Sequence, residues 1–327
     1  RDLHSFPTRR SSDLVFLGID TSCYTTSLCL VDSSYHVAAD ERLILSVKKG
    51  SRGLSQSNMV YQHMRNLPVL FERLVPYLAN ARICAIGVTD KPRRREDSYM
   101  PAFLAGLGYG RSLAAVLHVP LYTISHQENH LLAALRDTGS MPEHDFYGLH
   151  LSGGTTDMLQ AVPDAKGLEI TRIGGTSDIS AGQFIDRIGV ALGFPFPAGI
   201  YVDKMAQDVA VPVKAGHVWC RQGAVSYSGP ESQAQRLIAK GDADIPALCQ
   251  WTLATVWDGL RRMMDQKIPA ASHLVAAGGV MSNRYLRQQL AAYCTKRNMQ
   301  LHLAPDGYSA DNSSGAAFWA AWQEGKG

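Results

Sequence analysis

Two stretches of the sequence decide the fold: LGIDTSCYTT at residues 17–26 and LHLSGGTT at residues 149–156. Each consists of an apolar strand, a turn rich in small and hydroxyl-bearing residues, and a returning strand. A duplicated strand–turn–strand unit followed by strand–helix units predicts two similar α/β lobes facing a cleft. Two such turns facing each other would hold the phosphates of a nucleotide from both sides. Two unrelated hairpins would give the same match, so both interpretations stay open at this point.

The rest of the chain alternates between the periods of strands and helices. We therefore expect an α/β fold with lobe I at residues 15–120 and 300–327 and lobe II at residues 121–299. Strands are predicted at residues 15–20, 27–31, 37–47, 83–89, 146–151, 157–162, 168–173 and 273–277, and helices at residues 58–78, 102–119, 177–192, 245–266, 283–298 and 311–322.

The composition argues against a disulfide-stabilised protein and against a membrane-spanning one. The 327 residues carry a mild net charge of +3, and 46% of them are hydrophobic, as in a globular protein with ample core. Six scattered cysteines without a CxxC pair indicate reduced thiols in a cytoplasmic protein, and the sequence has no apolar stretch of bilayer length. Residues 1–14 are polar and lack either period, and we expect a non-native or disordered leader there.

Two histidines, His126 and His130, lie in the run SHQENH at the start of an apolar-periodic stretch that predicts a helix. Helix positions i and i+4 are surface neighbours, so two imidazoles at this spacing can converge on one metal ion. The alternative is a pair of ordinary surface histidines. A zinc peptidase would need HExxH, and Glu128 stands one position too late for that motif.

Several short motifs in the second half have residues that suit a nucleotide. The SGGT turn at residues 152–155 can offer amides and hydroxyls to phosphate oxygens, and Asp186 and Asp203 are candidates for a ribose hydroxyl. Gly278 and Gly279 form a strand–glycine–helix junction, where a backbone approaches a ligand closely. The alternatives are solvated carboxylates and ordinary tight turns.

Taken in order, these stretches resemble the successive signatures of the TsaD family, the tRNA threonylcarbamoyladenosine synthases once described as sialoglycoprotein endopeptidases. The resemblance covers essentially all of residues 15–327. Its motifs are LGIDTSCYTT (17–26), HQENH (126–130), LSGGT (151–155), GQFIDR (182–187), PFPAG (195–199), AVSYSG (224–229), GGVMSN (278–283) and SADN (309–312).

The resemblance implies an actin-like ATPase fold and an enzyme. The family transfers a threonylcarbamoyl group from its adenylate to the N6 amine of a tRNA adenosine, with AMP as the leaving group. It implies a divalent metal ion, iron more than zinc, although histidine and aspartate ligands suit both. It also implies an adenine nucleotide (threonylcarbamoyl-AMP or ATP), tRNA and protein partner subunits, and no membrane. A catalytically silent nucleotide-binding scaffold or regulator is the alternative function, and a small-molecule carbamoyltransferase is a third.

Carried over residue by residue, the resemblance implies metal ligands at His126, His130 and Asp311. Asp311 is expected to open a helix, whose dipole would stabilise the carboxylate. His150 replaces a tyrosine of some relatives and is a possible extra ligand. No residue is assigned a catalytic role. The residues implied for substrate or nucleotide binding are His150, Leu151, Ser152, Gly153, Gly154, Asp186, Gly199, Asp203 and Asn283.

Three departures from the family pattern predict a divergent paralogue. Tyr24 stands where the family has an acidic residue, the sequence DKPRRRED at residues 90–97 replaces a Gly-Pro-Gly loop, and Pro230 and Glu231 follow Gly229 where a lysine is usual. The basic residues of the 90–97 loop can meet a tRNA backbone, since lysine and arginine make most phosphate contacts. A solvated loop is the alternative.

Overall fold

Each of the two repeated hairpins lies inside a β-sheet of its own. The computed structural model describes residues 14–22, 24–47, 54–209, 211–241, 243–305, 307–308 and 310–325. The chain divides into two units, the first made of Arg1–Met141, Ala165–Gly167 and Asp311–Gly327 and the second of Pro142–Asp164 and Leu168–Ala310.

Among its described residues, the first unit contains a five-stranded sheet and four helices. Its elements are β1 (Leu14–Asp20), β2 (Thr25–Asp32), β3 (Val37–Ile44), α1 (Gln56–Leu78), β4 (Arg82–Lys91), α2 (Phe103–Leu117), β5 (Leu121–Ser125), α3 (His126–Leu135) and, at the end of the chain, the helix Ser314–Glu324. The strand order is β3-β2-β1-β4-β5, with β1 antiparallel to β2 and parallel to β4.

The second unit contains a seven-stranded sheet and five helices among its described residues. Its elements are β6 (Phe146–Leu151), β7 (Thr156–Asp164), β8 (Gly167–Thr176), α4 (Ala181–Ala191), α5 (Gly199–Ala206), β9 (Trp219–Arg221), β10 (Ala224–Ser226), α6 (Ser228–Lys240), α7 (Ile245–Lys267), β11 (His273–Ala277), α8 (Arg284–Lys296) and β12 (Gln300–Leu303). The helix Ser314–Glu324 of the first unit is therefore α9. The strand order is β12-β11-β6-β7-β8-β10-β9.

The two sheets share one topology. The order β3-β2-β1-β4-β5 recurs as β8-β7-β6-β11-β12. In each sheet the first strand of the hairpin also pairs in parallel with a later strand, β1 with β4 and β6 with β11. The interpretation as two unrelated hairpins is therefore wrong, and the predicted duplicated α/β architecture is confirmed.

Helices cover both faces of the first sheet. Leu17 and Ile19 of β1 pack with Leu67 and Leu70 of α1 in one core, while α9 packs against β1 and β4. The core of the second unit joins β6 and β11 to α4, α7 and α8. The strands β1 and β2 are buried along nearly their whole length, so both faces of the first sheet are covered, which is typical of α/β proteins.

Several boundaries differ from the sequence-based expectations. β5 pairs with β4 and β12 pairs with β11, so residues 121–141 lie in the first unit and 300–310 in the second, unlike the expected lobe limits. Ser180 caps α4 by accepting from the Gln183 N–H, so this helix begins at Ala181 and not at residue 177. Of the expected leader 1–14, Leu14 begins β1, and the other residues lie outside those described.

Among the residues that the structure describes, none of the helices combines the length and the apolar character that crossing a bilayer requires.

Candidate metal centre and nucleotide site

Three candidate ligand atoms converge in the first unit. His126 Nε2 lies 3.0 Å from His130 Nε2, and Asp311 Oδ1 lies 3.6 Å from the first nitrogen and 3.4 Å from the second. The histidines are the first and fifth residues of α3, so the helical spacing places both rings on one side. Among the described residues, these three form the one group of histidine, cysteine and carboxylate side chains compact enough to hold a metal ion.

The spacing of these atoms fits a divalent metal ion. Two ligands at about 2.1 Å from one ion, with an angle of 90–120° between them, lie roughly 3.0–3.6 Å apart. Two histidine nitrogens and one carboxylate oxygen also form a donor set that transition metals accept. The His126 and Phe103 rings make an edge contact at a centroid distance of 6.3 Å, which gives the site an apolar neighbour.

Asp311 lies outside a helix, so the expectation that it opens one is wrong. Helix α9 begins at Ser314, because the Asn312 side chain accepts from the Ser314 N–H at 2.9 Å and from its hydroxyl at 2.6 Å. This turn keeps Asp311 in the segment that precedes the helix. The position of its carboxylate is therefore set by the turn that Asn312 and Ser314 form, and not by a helix.

Asn129, which sequence reasoning missed, ties this turn to the histidine helix. Its Nδ2 donates to the Asn312 carbonyl oxygen, and its Oδ1 accepts from the Ala316 N–H at 2.8 Å. Asn129 is fully buried and lies one residue before His130. The fact that a polar residue stands inside an apolar-periodic helix is the signal that could have found it. Both segments that carry candidate ligands are thus fixed to each other by one side chain.

Glu128 has a structural task. Its carboxylate accepts from the Ser125 N–H at 2.6 Å while the Ser125 hydroxyl accepts from the Glu128 N–H at 3.3 Å, which is a capping box at the start of α3. Arg94 lies 3.9 Å from the same carboxylate. Because Glu128 holds the end of the helix, the peptidase interpretation loses its candidate base.

The environment of His126 favours a positive charge. Burial by itself lowers the pKa of this imidazole, but the carboxylates of Asp20 and Asp311 outweigh it and raise the pKa to about 9. A bound cation would be stabilised by the same two carboxylates, Asp20 and Asp311.

The loop that replaces the Gly-Pro-Gly segment packs on the same helix end. The Pro92 carbonyl oxygen accepts from the Gln127 N–H at 3.1 Å, and Lys91, Arg94 and Arg95 lie 2.9–3.9 Å from Asp90, Glu128 and Asp97 respectively. Ion pairs partly neutralise these cations, and the expected contact of this loop with a tRNA backbone remains a prediction.

In the second unit, the predicted glycine turn joins β6 to β7 and leaves its backbone accessible. Gly153 and Gly154 are exposed, and a Cβ added to either would meet no atom within 4 Å. The N-terminus of α4 is fastened beside the turn, since the Ser180 hydroxyl donates to the Gly153 carbonyl oxygen at 2.7 Å and the Ala181 N–H donates to Thr156 Oγ1 at 2.8 Å. Exposed amides beside a helix N-terminus are suited to an anion.

A cavity of about 960 Å³ opens beside this turn, within the second unit. A volume of this size accommodates a nucleotide-sized ligand. Five of the nine residues expected to bind substrate or nucleotide line it, namely Gly153, Asp186, Gly199, Asp203 and Asn283. His150, Leu151, Ser152 and Gly154 are not among its lining residues.

Those four residues differ in their surroundings. Leu151 is fully buried in the core, and Ser152 accepts from the Thr155 N–H at 3.0 Å and so shapes the turn. His150 lies on β6 opposite Asp157, and its expected role as an extra metal ligand remains a prediction.

Two carboxylates in the wall of the cavity accept hydrogen bonds from backbone N–H groups. Asp186 accepts from the Ala198 N–H at 2.8 Å, and burial raises the pKa of its carboxyl despite this hydrogen bond. Asp203 accepts from the N–H groups of Arg284 and Tyr285 at 3.2 and 3.3 Å, at the start of α8. Their expected contact with a ribose remains a prediction.

Asn283 caps α8 and also has a donor to spare. Its Oδ1 accepts from the Leu286 N–H at 3.0 Å, whereas its buried Nδ2 has no hydrogen-bond partner. Five residues earlier, Gly278 has φ +98°, and a Cβ there would collide with the backbone of Leu151. This glycine therefore lets the β11–α8 junction approach β6 closely.

Sequence reasoning missed several residues of the cavity wall. Arg284, Arg287 and Gln288 follow Asn283 on α8, and Phe196 and Ile200 are each 75% exposed beside Gly199. Long polar side chains after a cap and apolar side chains in a Pro-rich loop are common elsewhere, so no pattern distinguished them.

A hairpin-centred sheet repeated in two units, with a glycine turn beside a cavity, defines the actin-like ATPase class of folds. A solved structure of this class, component A of (R)-2-hydroxyglutaryl-CoA dehydratase from Acidaminococcus fermentans, is 12% identical and superimposes with a TM-score of 0.55 over 95% of this chain and 99% of its own. At this identity the likeness shows the fold alone.

The sequence model of the TsaD family, tRNA N6-adenosine threonylcarbamoyltransferase, matches residues 53–318, and the chain belongs to this family. Curated relatives of that name come from Neorickettsia sennetsu, 28% identical over 321 residues (94% of this chain, 92% of the relative), and Bdellovibrio bacteriovorus, 29% identical over 332 residues (95% and 93%). The family, the fold and the transferase function predicted from the sequence are confirmed.

Proposed function

We propose that this chain transfers a threonylcarbamoyl group from threonylcarbamoyl-adenylate to the N6 amine of a tRNA adenosine, with an iron ion held by His126, His130 and Asp311. The observation that carries the proposal is the convergence of two imidazole nitrogens and one carboxylate oxygen within 3.6 Å of one another. When bound, the ion would supply Lewis acidity toward the carbamoyl carbonyl.

The transfer itself is an acyl substitution. The N6 amine forms a bond to the carbamoyl carbon, the bond from that carbon to the phosphate oxygen of the adenylate breaks, and AMP leaves with the electron pair. The amine also releases one proton, which passes to solvent water. The chain must therefore bind the adenylate and stabilise negative charge on the departing phosphate.

Residues of the second unit are suited to this binding. The exposed amides of Gly153 and Gly154 and the N-terminus of α4 would receive the phosphate. The free Nδ2 donor of Asn283 lies in the wall of the adjoining cavity, where a ligand oxygen would satisfy it. Asp186 and Asp203 would accept hydrogen bonds from the ribose hydroxyls with the lone pairs that the backbone N–H groups do not use.

We propose iron and not zinc because two histidines and one carboxylate that leave positions open are typical of Fe(II) sites. We further propose tRNA as the acceptor, partner subunits of the threonylcarbamoylation machinery, and a cytoplasmic location. The relatives from Neorickettsia sennetsu and Bdellovibrio bacteriovorus are named as transferases that act on tRNA, which supports the first of these.

The test combines metal analysis with a modification assay. The full chain is purified without oxygen, and its iron and zinc are measured by mass spectrometry. Its activity is followed as modified adenosine in tRNA, in the presence of threonylcarbamoyl-adenylate and a cell extract that contains the partner subunits. We expect one iron per chain and tRNA-dependent AMP release. In His126→Ala we expect loss of the metal and a drop in rate of at least about 1,000-fold, or roughly 4 kcal/mol of transition-state stabilisation.

The control is His36→Ala, because this histidine lies on an exposed turn and its side chain is 81% exposed. Nucleotide binding without turnover would support the scaffold alternative. Turnover with a small amine in place of tRNA would support the small-molecule carbamoyltransferase. A zinc content near one per chain would overturn the choice of iron alone.

A further inference from the structure

Asp20 is a buried carboxylate at the end of β1, directly behind His126. It is 0% exposed, and its Oδ2 lies 3.2 Å from His126 Nδ1. The opposite ring nitrogen, Nε2, is the one that converges with His130 and Asp311. The imidazole therefore stands between a carboxylate on one side and the candidate metal centre on the other.

The other contacts of Asp20 fix this orientation. Its Oδ1 accepts from the Thr89 hydroxyl and from the Ser22 N–H at 3.2 Å, and its Oδ2 accepts from the Ser22 hydroxyl at 2.7 Å. An ionised carboxylate offers about four acceptor positions. Three are used by these donors, which come from β4 and from the first hairpin turn, and this leaves one for the imidazole.

Burial makes this arrangement energetically demanding. A carboxylate taken out of water costs several kcal/mol unless hydrogen bonds and a positive charge offset the loss. Within the described residues, the one ion-pair partner of Asp20 is His126. The ring Nδ1 is itself buried and does not meet hydrogen-bond geometry with any acceptor in this structure, although Asp20 lies within reach. A small rotation of the ring would satisfy both groups.

We propose that Asp20 is a positioning residue for the metal ligand His126: it accepts the Nδ1–H, so that the lone pair of Nε2 points at the metal position. This inference rests on the proposed metal centre. Carboxylates that orient a ligating histidine in this way contribute about 10- to 100-fold in metal affinity. Asp20 would act without touching the metal or the substrate.

The test measures metal affinity and not activity. The dissociation constant of the full chain for Zn²⁺, a diamagnetic probe of the site, is determined by competition with a chelator for the wild type, Asp20→Asn and Thr89→Val. Asp20→Asn keeps the shape but removes the charge, and we expect affinity 10- to 100-fold weaker. Thr89→Val removes one hydrogen bond to Oδ1 and leaves Oδ2 in place, and we expect a change below about 3-fold.

A second measurement needs no variant to fold. In the zinc-loaded wild type, ¹H–¹⁵N spectra of labelled histidine report the His126 Nδ1–H, which a carboxylate acceptor shifts strongly downfield. An ordinary shift for this proton, or equal zinc affinities in wild type and Asp20→Asn, would overturn the proposal. If affinity instead follows the unfolding free energy in both variants, Asp20 is merely structural. If the wild type itself binds no zinc or iron, the proposed metal centre fails, and this inference with it.

Discussion

The two repeated turns have the same design and opposite surroundings. In the first, Asp20, Thr21 and Ser22 are fully buried and make hydrogen bonds with one another and with neighbouring elements. In the second, Gly153 and Gly154 face open space. The duplicated hairpin thus braces a candidate metal centre in one unit and leaves its backbone accessible to an anion in the other.

The difference begins inside the strands. Gly18 of β1 and His150 of β6 occupy the same place in the two hairpins, because each directly follows the leucine that begins its motif, Leu17 or Leu149. Gly18 is buried because the backbone of α9 lies on it, whereas the second strand carries a large ring at that position. Close packing at Gly18 therefore holds the segment that carries Asp311.

The largest effect is expected where this packing is broken. In Gly18→Ala, the new Cβ would collide with the Ser313 carbonyl oxygen and lie 2.8 Å from Ala317 N, and both are backbone atoms. We expect a loss of about 3 kcal/mol or more in the free energy of unfolding, measured by denaturant titration. Zinc affinity should fall as well, since Ser313 is two residues from Asp311.

The matched control is Gly108→Ala in α2, where an added Cβ meets nothing within 4 Å. A helix gains about 0.5–1 kcal/mol from this change. Equal effects of the two substitutions would contradict the idea that the first hairpin is braced and specifically packed.

A smaller effect is expected from acid. His63 of α1 is fully buried beside the first hairpin, with Nδ1 2.9 Å from Thr26 Oγ1, and burial lowers the pKa of this imidazole to about 4. Above pH 6.5 the ring is neutral in both folded and unfolded chains. Between pH 6.5 and 4 only the unfolded chain binds the proton, so stability is lost progressively, by up to about 3 kcal/mol.

The measurement is the free energy of unfolding from pH 7.5 to 4.5 in wild type, His63→Gln and His36→Gln. The pH dependence should be shallower in His63→Gln and unchanged in the variant of the exposed His36. An unchanged slope in His63→Gln would show that other groups account for the acid sensitivity of the first unit.

A weaker effect is expected in the second unit, where a substitution at Asn283 should lower the affinity for ADP without lowering the free energy of unfolding. In Asn283→Ser the hydroxyl can still cap α8, but the unpaired Nδ2 donor is gone. We expect about 5- to 10-fold weaker binding of ADP by calorimetry, or roughly 1 kcal/mol, because one hydrogen bond is removed. Unaltered affinity would mean that the donor faces no ligand.

Sequence patterns predicted most of the fold because periodicity and turn chemistry act locally. The hairpins, α1, α7 and β11 follow from them within a few residues, and the spacing of His126 and His130 follows from the helix alone. The roles of Asn129 and Asp20 depend on contacts with residues far along the chain, such as Asn312 and Thr89. No local pattern encodes such contacts. The start of α9 was misplaced for the same reason, because a side-chain turn at Asn312 overrides helix propensity.

The smallest change in stability is expected at the open turn. An alanine Cβ at Gly153 meets no atom within 4 Å, so Gly153→Ala should alter the free energy of unfolding by no more than about 0.5 kcal/mol. The same methyl group would stand beside the amide offered to a phosphate, and ADP should bind several-fold more weakly by calorimetry. A large loss of stability would show that the second turn is packed like the first. Unchanged affinity together with unchanged stability would remove the turn from the nucleotide site, leaving the cavity wall around Asn283 to bind the ligand.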